Sequence, residues 1–168
     1  SREKSEFSIA QGKSGTILTA DTTVALDGEI FGKPESVTQA REMLGKLRGR
    51  THHVLTGVTV RGQNDARMLS AVKSTAVHVR EFSEPEMEEY LRSGIPMDRA
   101  GAYGVQDMPF DPVTSVEGCY LNVVGLPLCT VADLMRTVDA NMKLRPKDRV
   151  PYMDRCDSCE LVIKEESV

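Results

Sequence analysis

Residues 16–31 read TILTADTTVALDGEIF, and this stretch decides the fold. Two runs rich in Thr, Val, Ile and Leu are separated by Asp27-Gly28. An Asp-Gly pair between apolar runs predicts a β-hairpin, because both turn positions favour positive φ. Asp21 interrupts the first run, and Asp is a poor strand residue, so we expect it where a strand emerges into a loop. The stretch therefore predicts a sheet with an acid at a strand end.

Two helices with clear start signals follow the hairpin. Ser36 and Gln39 have the spacing of a capping box, and apolar residues then recur with the helical period at Ala40, Met43, Leu44 and Leu47. A second capping box begins at Ser83 and precedes a shorter helix. Between these helices, β-type segments at 53–61 and 68–82 are joined by a polar turn, which predicts a long antiparallel pair.

The remainder of the chain completes an alternation of strands and helices. Residues 113–124 have strand character, and a last helix carries Val131, Leu134, Met135 and Val138 on one face. The predicted class is therefore α/β, with a mixed β-sheet and flanking helices. Charged residues and prolines dominate after about residue 142, so we divide the chain into a domain at 1–142 and a charged, cysteine-containing tail at 143–168.

The composition is that of an ordinary globular protein. The chain has 168 residues, of which 40% are hydrophobic and 27% charged, with a net charge of −4. That charge provides no basic field for a polynucleotide, and no run approaches the roughly 18 consecutive apolar residues of a membrane span. Because no export signal is visible, we expect a cytoplasmic protein whose four cysteines stay reduced.

Four polar residues are candidates for chemistry, each with a structural alternative. Asp21 is either a catalytic acid or a turn cap. Lys33, between a glycine and a proline, either holds a phosphate oxygen or is a solvated lysine. Gln106 lies in a glycine-rich loop, where its amide either reads a base edge or satisfies the loop backbone. Glu117 either faces solvent or enters a cleft as a metal ligand.

The remaining metal-binding signals are weak. Cys156 and Cys159 offer half of a four-ligand zinc site, and the alternative is a pair of reduced surface cysteines. His52 and His53 are adjacent in a predicted strand and point to opposite faces, so they cannot share a metal.

A series of short motifs resembles the Maf family of nucleoside triphosphate pyrophosphatases. The motifs are ADTTV at 20–24, GKP at 32–34, AREML at 40–44, HVLTG at 53–57, DRAGAYGVQ at 98–106, VEG at 116–118 and NVVGLP at 122–127. The resemblance spans residues 2 to about 138 and implies a Maf- and ITPase-like fold. It also implies hydrolysis of a nucleoside triphosphate to the monophosphate and pyrophosphate, with a divalent cation, Mg²⁺ or Mn²⁺.

The resemblance also implies roles for individual residues. Asp21 corresponds to the proton acceptor that activates the attacking water, and Lys33 would neutralise phosphate charge. Thr22 and Gln106 match positions that the family uses for substrate choice. The Asp-Thr pair and the later Tyr-Gly-x-Gln loop are similar to the branch that acts on dTTP and UTP.

The chain departs from the family pattern at several places. Arg99 stands where the family has a loop lysine, which keeps a positive charge for substrate binding. Asp107 follows Gln106 where the family usually has glycine. The family's opening strand and its Ser-Pro-Arg-Arg-type phosphate loop are absent, since the chain begins in the helix after them. We therefore expect an amino-terminally truncated form of the domain.

The leading interpretation is a dTTP- and UTP-type pyrophosphatase, expected to be a homodimer. The alternative is a catalytically weak remnant of the same fold that binds a nucleotide or a protein partner. A third interpretation is a small zinc-binding interaction module built on the tail.

Overall fold

The computed structural model describes residues 1–11, 15–62 and 68–138. Its helices and strands are α1 (Arg2–Ala10), β1 (Ile17–Leu26), β2 (Glu29–Phe31), α2 (Val37–Leu47), β3 (Thr51–Arg61), β4 (Met68–Val79), α3 (Glu84–Arg92), β5 (Val113–Glu117), α4 (Tyr120–Val124) and α5 (Leu128–Val138). Two short 3-10 turns, Ile95–Asp98 and Ala100–Ala102, lie between α3 and β5. The predicted α/β class with flanking helices is confirmed. None of the described helices is long and apolar enough to cross a membrane.

The strands form one five-stranded sheet in the order β2-β1-β3-β4-β5. Strands β1 and β2 are antiparallel with Leu26 opposite Glu29, so Asp27 and Gly28 form a two-residue turn. Their φ values are 51° and 83°. The predicted hairpin is therefore confirmed, with positive φ at both turn positions. Strands β4 and β5 are also antiparallel.

The predicted helix starts are confirmed with one change of partner. The Ser36 hydroxyl accepts a hydrogen bond from the Gln39 backbone N–H, as expected for an N-cap. The Gln39 side chain, however, accepts from the Glu35 N–H and not from Ser36. At α3, both bonds of the capping box between Ser83 and Glu86 are present.

Asp21 does not lie at a strand end. Strand β1 runs without interruption from Ile17 to Leu26, and Asp21 lies inside it. The prediction was wrong because the β-branched residues after Asp21 favour extended backbone and continue the strand. The Asp21 side chain is 58% exposed, so its carboxylate stays in contact with solvent within the strand.

The predicted strand over 113–124 is wrong in its second half. Strand β5 ends at Glu117, and residues 120–124 form the short helix α4. Gly118 has a φ of 120°, a backbone conformation that β-branched residues avoid and that ends the strand. The strand predicted over 68–82 likewise ends earlier, at Val79, before the N-cap of α3.

The chain divides into two compact units. Among the described residues, the first contains 1–11, 15–21, 56–62, 68–73 and 118–138, and the second contains 22–55 and 74–117. Strands β1, β3 and β4 therefore contribute residues to both units. The tail predicted at 143–168 lies outside the described residues, so its boundary near residue 142 stays a prediction.

The first unit has a small core of branched residues. Val58 and Val60 on β3 pack with Val131 on α5. Around them lie the partly buried side chains of Leu18, Ala20, Leu126, Leu134, Met135 and Val138. The predicted apolar face of α5 is therefore confirmed, because all four of its residues belong to this core.

The second unit has a larger core with an aromatic cluster. Helix α2 buries Ala40, Met43, Leu44 and Leu47, as its pattern predicts. Phe110 stacks on Tyr90 of α3 with ring centroids 4.1 Å apart and also contacts Phe82.

His52 on β3 is buried with its Nε2 atom 2.6 Å from the Tyr103 hydroxyl, while His53 is exposed. The two histidines thus face opposite sides, as predicted.

The cysteines differ from expectation. Cys119 is buried and free, but Cys129 is disulfide-bonded, so the prediction of four reduced cysteines is wrong. That prediction rested on the absence of an export signal, which does not determine whether two particular cysteines meet. Cys156 and Cys159, the predicted zinc ligands, lie outside the described residues.

Burial of His52 predicts that acid destabilises the fold. Burial, with smaller effects from His53 and His78, lowers the pKa of His52 from 6.5 to about 4. His52 therefore binds a proton near pH 6.5 in the unfolded chain, but only near pH 4 in the folded chain. The free energy of unfolding should therefore fall across this window, with a contribution from His52 of up to about 1.4 kcal/mol per pH unit.

Urea unfolding at a series of pH values measures this effect. His52→Gln should show a shallower decline between about pH 6.5 and pH 4 than the wild type, because it removes the titrating group. His53→Gln is the matched control, since this exposed neighbour has only a smaller effect on the pKa of His52 and should change the decline much less than His52→Gln does. Equal slopes in the wild type and His52→Gln would contradict the assignment.

Candidate active site

Asp21 is paired with a lysine from the first helix. The Lys4 Nζ atom donates a hydrogen bond to Asp21 Oδ1, and both side chains are more than half exposed. The start of α1 is fixed near β1 because the Ser1 carbonyl accepts a 2.8 Å hydrogen bond from the Thr19 hydroxyl. Thr19 and Asp21 are two residues apart in a strand and so lie on the same face. The local fold thus brings Lys4 to Asp21.

This pairing stabilises the carboxylate form of Asp21. The hydrogen bond from Lys4, supported by its positive charge, lowers the pKa of Asp21 below its ordinary value, and partial burial opposes it. Asp21 is therefore an ionised, solvent-accessible carboxylate at neutral pH, which is a group that can accept a proton from water. Thr22 follows it in β1, is half-buried and lies on the opposite face by strand alternation.

Lys33 lies on the loop after β2, where two loops of the second unit meet. Its Nζ atom donates to Asp98 Oδ1, and this contact lowers the pKa of Asp98. The Gly101 N–H also donates a 3.0 Å hydrogen bond to the Gly32 carbonyl. Gly101 has a φ of 70°, and a Cβ atom there would lie 3.1 Å from Val24. Glycine thus permits the loops to approach closely.

The loop after Asp98 carries two predicted substrate-binding residues. Arg99 Nη2 donates to Asp107 Oδ1 over 3.1 Å, so part of its guanidinium is already occupied. Gln106 is exposed, whereas its neighbour Asp107 is buried. The structure therefore brings Lys33, Arg99 and Gln106 together on linked loops, with the cations and the amide accessible to a ligand.

Glu117 belongs to a different cluster. Its Oε1 atom is 3.0 Å from His78 Nε2, and His78 Nδ1 is 2.6 Å from the Thr51 hydroxyl. These side chains form a polar row across β3, β4 and β5. Across residues 1–11, 15–62 and 68–138, no group of three or more His, Cys, Asp or Glu residues could hold a metal ion. The role of Glu117 as a metal ligand stays a prediction.

Sequence reasoning missed two residues that shape this site. Lys4 received no role, because its contact with Asp21 spans 17 residues and its helix is weakly patterned. Asp107 was noted only as a departure from the family's glycine, but it is buried with donors on both carboxylate oxygens. A cue for Asp107 was its place among Tyr103, Gly104 and Phe110, since an acid within an aromatic, glycine-containing loop needs a partner.

Comparison with known proteins adds an independent observation. The family described as Maf-like protein matches residues 1–138. A dTTP/UTP pyrophosphatase of Dehalococcoides mccartyi strain 195 is 44% identical over 124 residues, covering 74% of this chain and 55% of that protein. A protein of the same name from Dictyoglomus thermophilum is 45% identical over 123 residues, covering 73% and 64%. That of Salinibacter ruber is 43% identical over 143 residues, covering 84% and 70%.

The chain thus spans between about half and about two thirds of the length of the relatives it matches. The matched segment, residues 1–138, contains all the described residues of the candidate site. Because the family match covers most of the sequence, and relatives above 40% identity agree with it, the chain belongs to the Maf family.

Proposed function

We propose that the protein hydrolyses nucleoside triphosphates of the dTTP and UTP type to the monophosphate and pyrophosphate. The observation that carries the proposal is the exposed carboxylate of Asp21 on β1, which accepts a hydrogen bond from Lys4 and has its pKa lowered by it. The relatives named above are dTTP/UTP pyrophosphatases, which supports the same reaction and substrate class.

The proposed reaction begins with deprotonation of water. Asp21 accepts a proton as the water oxygen bonds to the α-phosphorus. The bond between this phosphorus and the oxygen that bridges to the β-phosphorus breaks, and pyrophosphate leaves with the electron pair. Lys4 stabilises the carboxylate form of Asp21 and contributes positive charge beside the reaction. Such a transfer depends mainly on positioning and charge neutralisation, and it requires no covalent nucleophile.

The loops of the second unit provide contacts for the nucleotide in this proposal. Lys33 and Arg99 are exposed cations suited to phosphate oxygens, each with a carboxylate partner in the ligand-free protein. The Gln106 amide carries both donors and an acceptor, which matches the N–H and carbonyl groups of a uracil or thymine edge. Thr22 lies on the opposite face of β1 from Asp21, and its role in substrate choice stays a prediction.

We propose that the divalent cation, Mg²⁺ or Mn²⁺, is bound together with the triphosphate. Magnesium is commonly held by one or two carboxylates and by substrate phosphates. In that arrangement Glu117, whose exposed carboxylate contacts His78, would be the protein ligand, and Asp21 would stay free to accept the proton. When bound, the cation would neutralise phosphate charge. The homodimer and the cytoplasmic location stay predictions.

Replacement of Asp21 tests the central role in this proposal. Asp21→Asn keeps the size of the side chain but removes the proton acceptor. We expect pyrophosphate release from dTTP and UTP to fall about 10²- to 10⁴-fold, with little change in the unfolding midpoint. The assay uses the protein as its gene encodes it, with Mg²⁺. Asp133→Asn, at an exposed acid on α5, is the control, and a wild-type rate in Asp21→Asn would refute the role.

Replacement of Lys4 tests its effect on the pKa of Asp21. Because Lys4 lowers the pKa of Asp21, Lys4→Met should raise that pKa toward its ordinary value. The acidic limb of the profile of kcat/KM against pH should then move to higher pH. Lys46→Met, which removes an exposed lysine paired with Glu29, should leave the limb in place. Superimposable acidic limbs would contradict the proposed pairing.

Replacement of Gln106 tests base recognition. Gln106→Ala removes the amide, so the ratio of kcat/KM for dTTP to that for dGTP should fall roughly tenfold. The maximal rate on dTTP should fall less than this ratio. Gln11→Ala, at an exposed amide beyond α1, is the control. An equal loss on both nucleotides would make Gln106 a structural or phosphate-binding residue.

A further inference from the structure

The loop that presents Gln106 is anchored at its amino end by a buried tyrosine. Tyr103 is only 6% exposed, and its hydroxyl lies 2.6 Å from Nε2 of His52 on β3. The two rings meet edge to face with centroids 5.4 Å apart. The start of the 103–107 loop is therefore fixed to a central strand of the sheet.

The carboxyl end of this loop is anchored by Asp107. Its side chain is buried, with 8% of the residue exposed, and both carboxylate oxygens have donors. The Tyr90 hydroxyl donates to Oδ2 over 2.6 Å, and Arg99 Nη2 donates to Oδ1 over 3.1 Å. A buried carboxylate is costly unless it is paired in this way, so the contacts hold Asp107 in one position.

Tyr90 is itself a rigid support. It lies on α3, stacks on Phe110, and has its pKa raised by burial and by the hydrogen bond to Asp107. Its hydroxyl therefore keeps its proton at neutral pH and remains a donor. Asp107 is thus hydrogen-bonded to α3 through the Tyr90 hydroxyl, which stays neutral.

The Asp107 carboxylate also fills the inside of the turn that carries Gln106. A Cβ atom on Gly104 would lie 2.5–2.7 Å from the carboxylate atoms, so the side chain folds back over Gly104. The Asp107 N–H donates to the Gly104 carbonyl over 3.1 Å, and the Asp111 N–H donates to the Asp107 carbonyl over 2.9 Å. Gln106 is the exposed residue of a turn closed by Asp107.

We propose that Asp107 is a positioning residue for base selectivity, which fixes the backbone that carries Gln106 and orients the Arg99 guanidinium. This inference rests on the proposed function. An amide fixed in place can favour one base edge, whereas a mobile amide adapts to several and loses binding energy to its own ordering. We call the hydrogen bonds of Asp107 with Tyr90 and Arg99 the clamp. Loss of the clamp should therefore weaken discrimination between bases and raise KM, while the chemical step at Asp21 proceeds.

Kinetics of Asp107→Asn test the proposal in the protein as its gene encodes it. We expect the ratio of kcat/KM for dTTP to that for dGTP to fall at least fivefold, with KM for dTTP raised and kcat within about twofold of the wild type. Asp111→Asn is the matched control, because Asp111 is exposed and asparagine tolerates its φ of 40°. An unchanged ratio, or a loss confined to kcat, would overturn the proposal.

Tyr90→Phe provides a second variant if Asp107→Asn does not fold. It removes the hydroxyl that donates to Asp107 and keeps the ring stacked on Phe110. Its selectivity should fall in the same direction. Where both single variants fold, the double variant should lose little beyond the larger single loss, because both changes break one network. Strictly additive losses would overturn the clamp.

Hydrogen exchange separates this inference from the proposed function. In the ligand-free protein, amides of the 104–110 segment should exchange several-fold faster in Tyr90→Phe or Asp107→Asn than in the wild type or Asp111→Asn. If the wild type releases no pyrophosphate from any triphosphate, the proposed function fails and the exchange result alone decides whether Asp107 clamps the loop. Equal exchange in all four proteins would overturn the clamp with or without activity.

Discussion

The register of the sheet is the constraint on which the placement of the functional side chains depends. A shift of one residue would turn every side chain of a strand to the other face. The two-residue turn at Asp27 and Gly28 fixes the pairing of β1 with β2, so that Leu26 lies opposite Glu29. This register sets which face of β1 carries Asp21 and which carries Thr22. On β3, the same alternation buries His52 and exposes His53.

Local features of the fold could be predicted from the sequence, and long-range contacts could not. The hairpin turn and the caps at Ser36 and Ser83 depend on residues within a few positions, where side-chain and backbone preferences act directly. Asp21 was misplaced because its single unfavourable strand preference was outweighed by its β-branched neighbours. The partners of Asp21 and Asp107 come from α1 and α3, so no local pattern identifies them.

The charge pairs of the site fall into two kinds. Lys33 pairs with Asp98 at the surface, and exposed pairs of this type contribute little to stability, so a phosphate oxygen can replace the carboxylate at little cost. Arg99 pairs instead with buried Asp107, which would be left with an uncompensated charge if Arg99 moved away. Under the proposed function, Lys33 exchanges its partner on binding, whereas Arg99 keeps its bond to Asp107 and offers its remaining donors.

The hydrogen bond between Gly101 and Gly32 connects two loops of the proposed site and bears on its selectivity. It links the loop of Lys33 to the loop that leads to Gln106. A Cβ atom on Gly101 would lie 3.1 Å from Val24, so a side chain there would crowd Val24. Under the proposed function, the group that reads the base and the group that holds a phosphate are therefore joined through one backbone hydrogen bond. A base that fits Gln106 poorly would then disturb the phosphate contact of Lys33 as well. In this proposal, discrimination depends on the spacing of the loops as well as on the hydrogen bonds of the base edge.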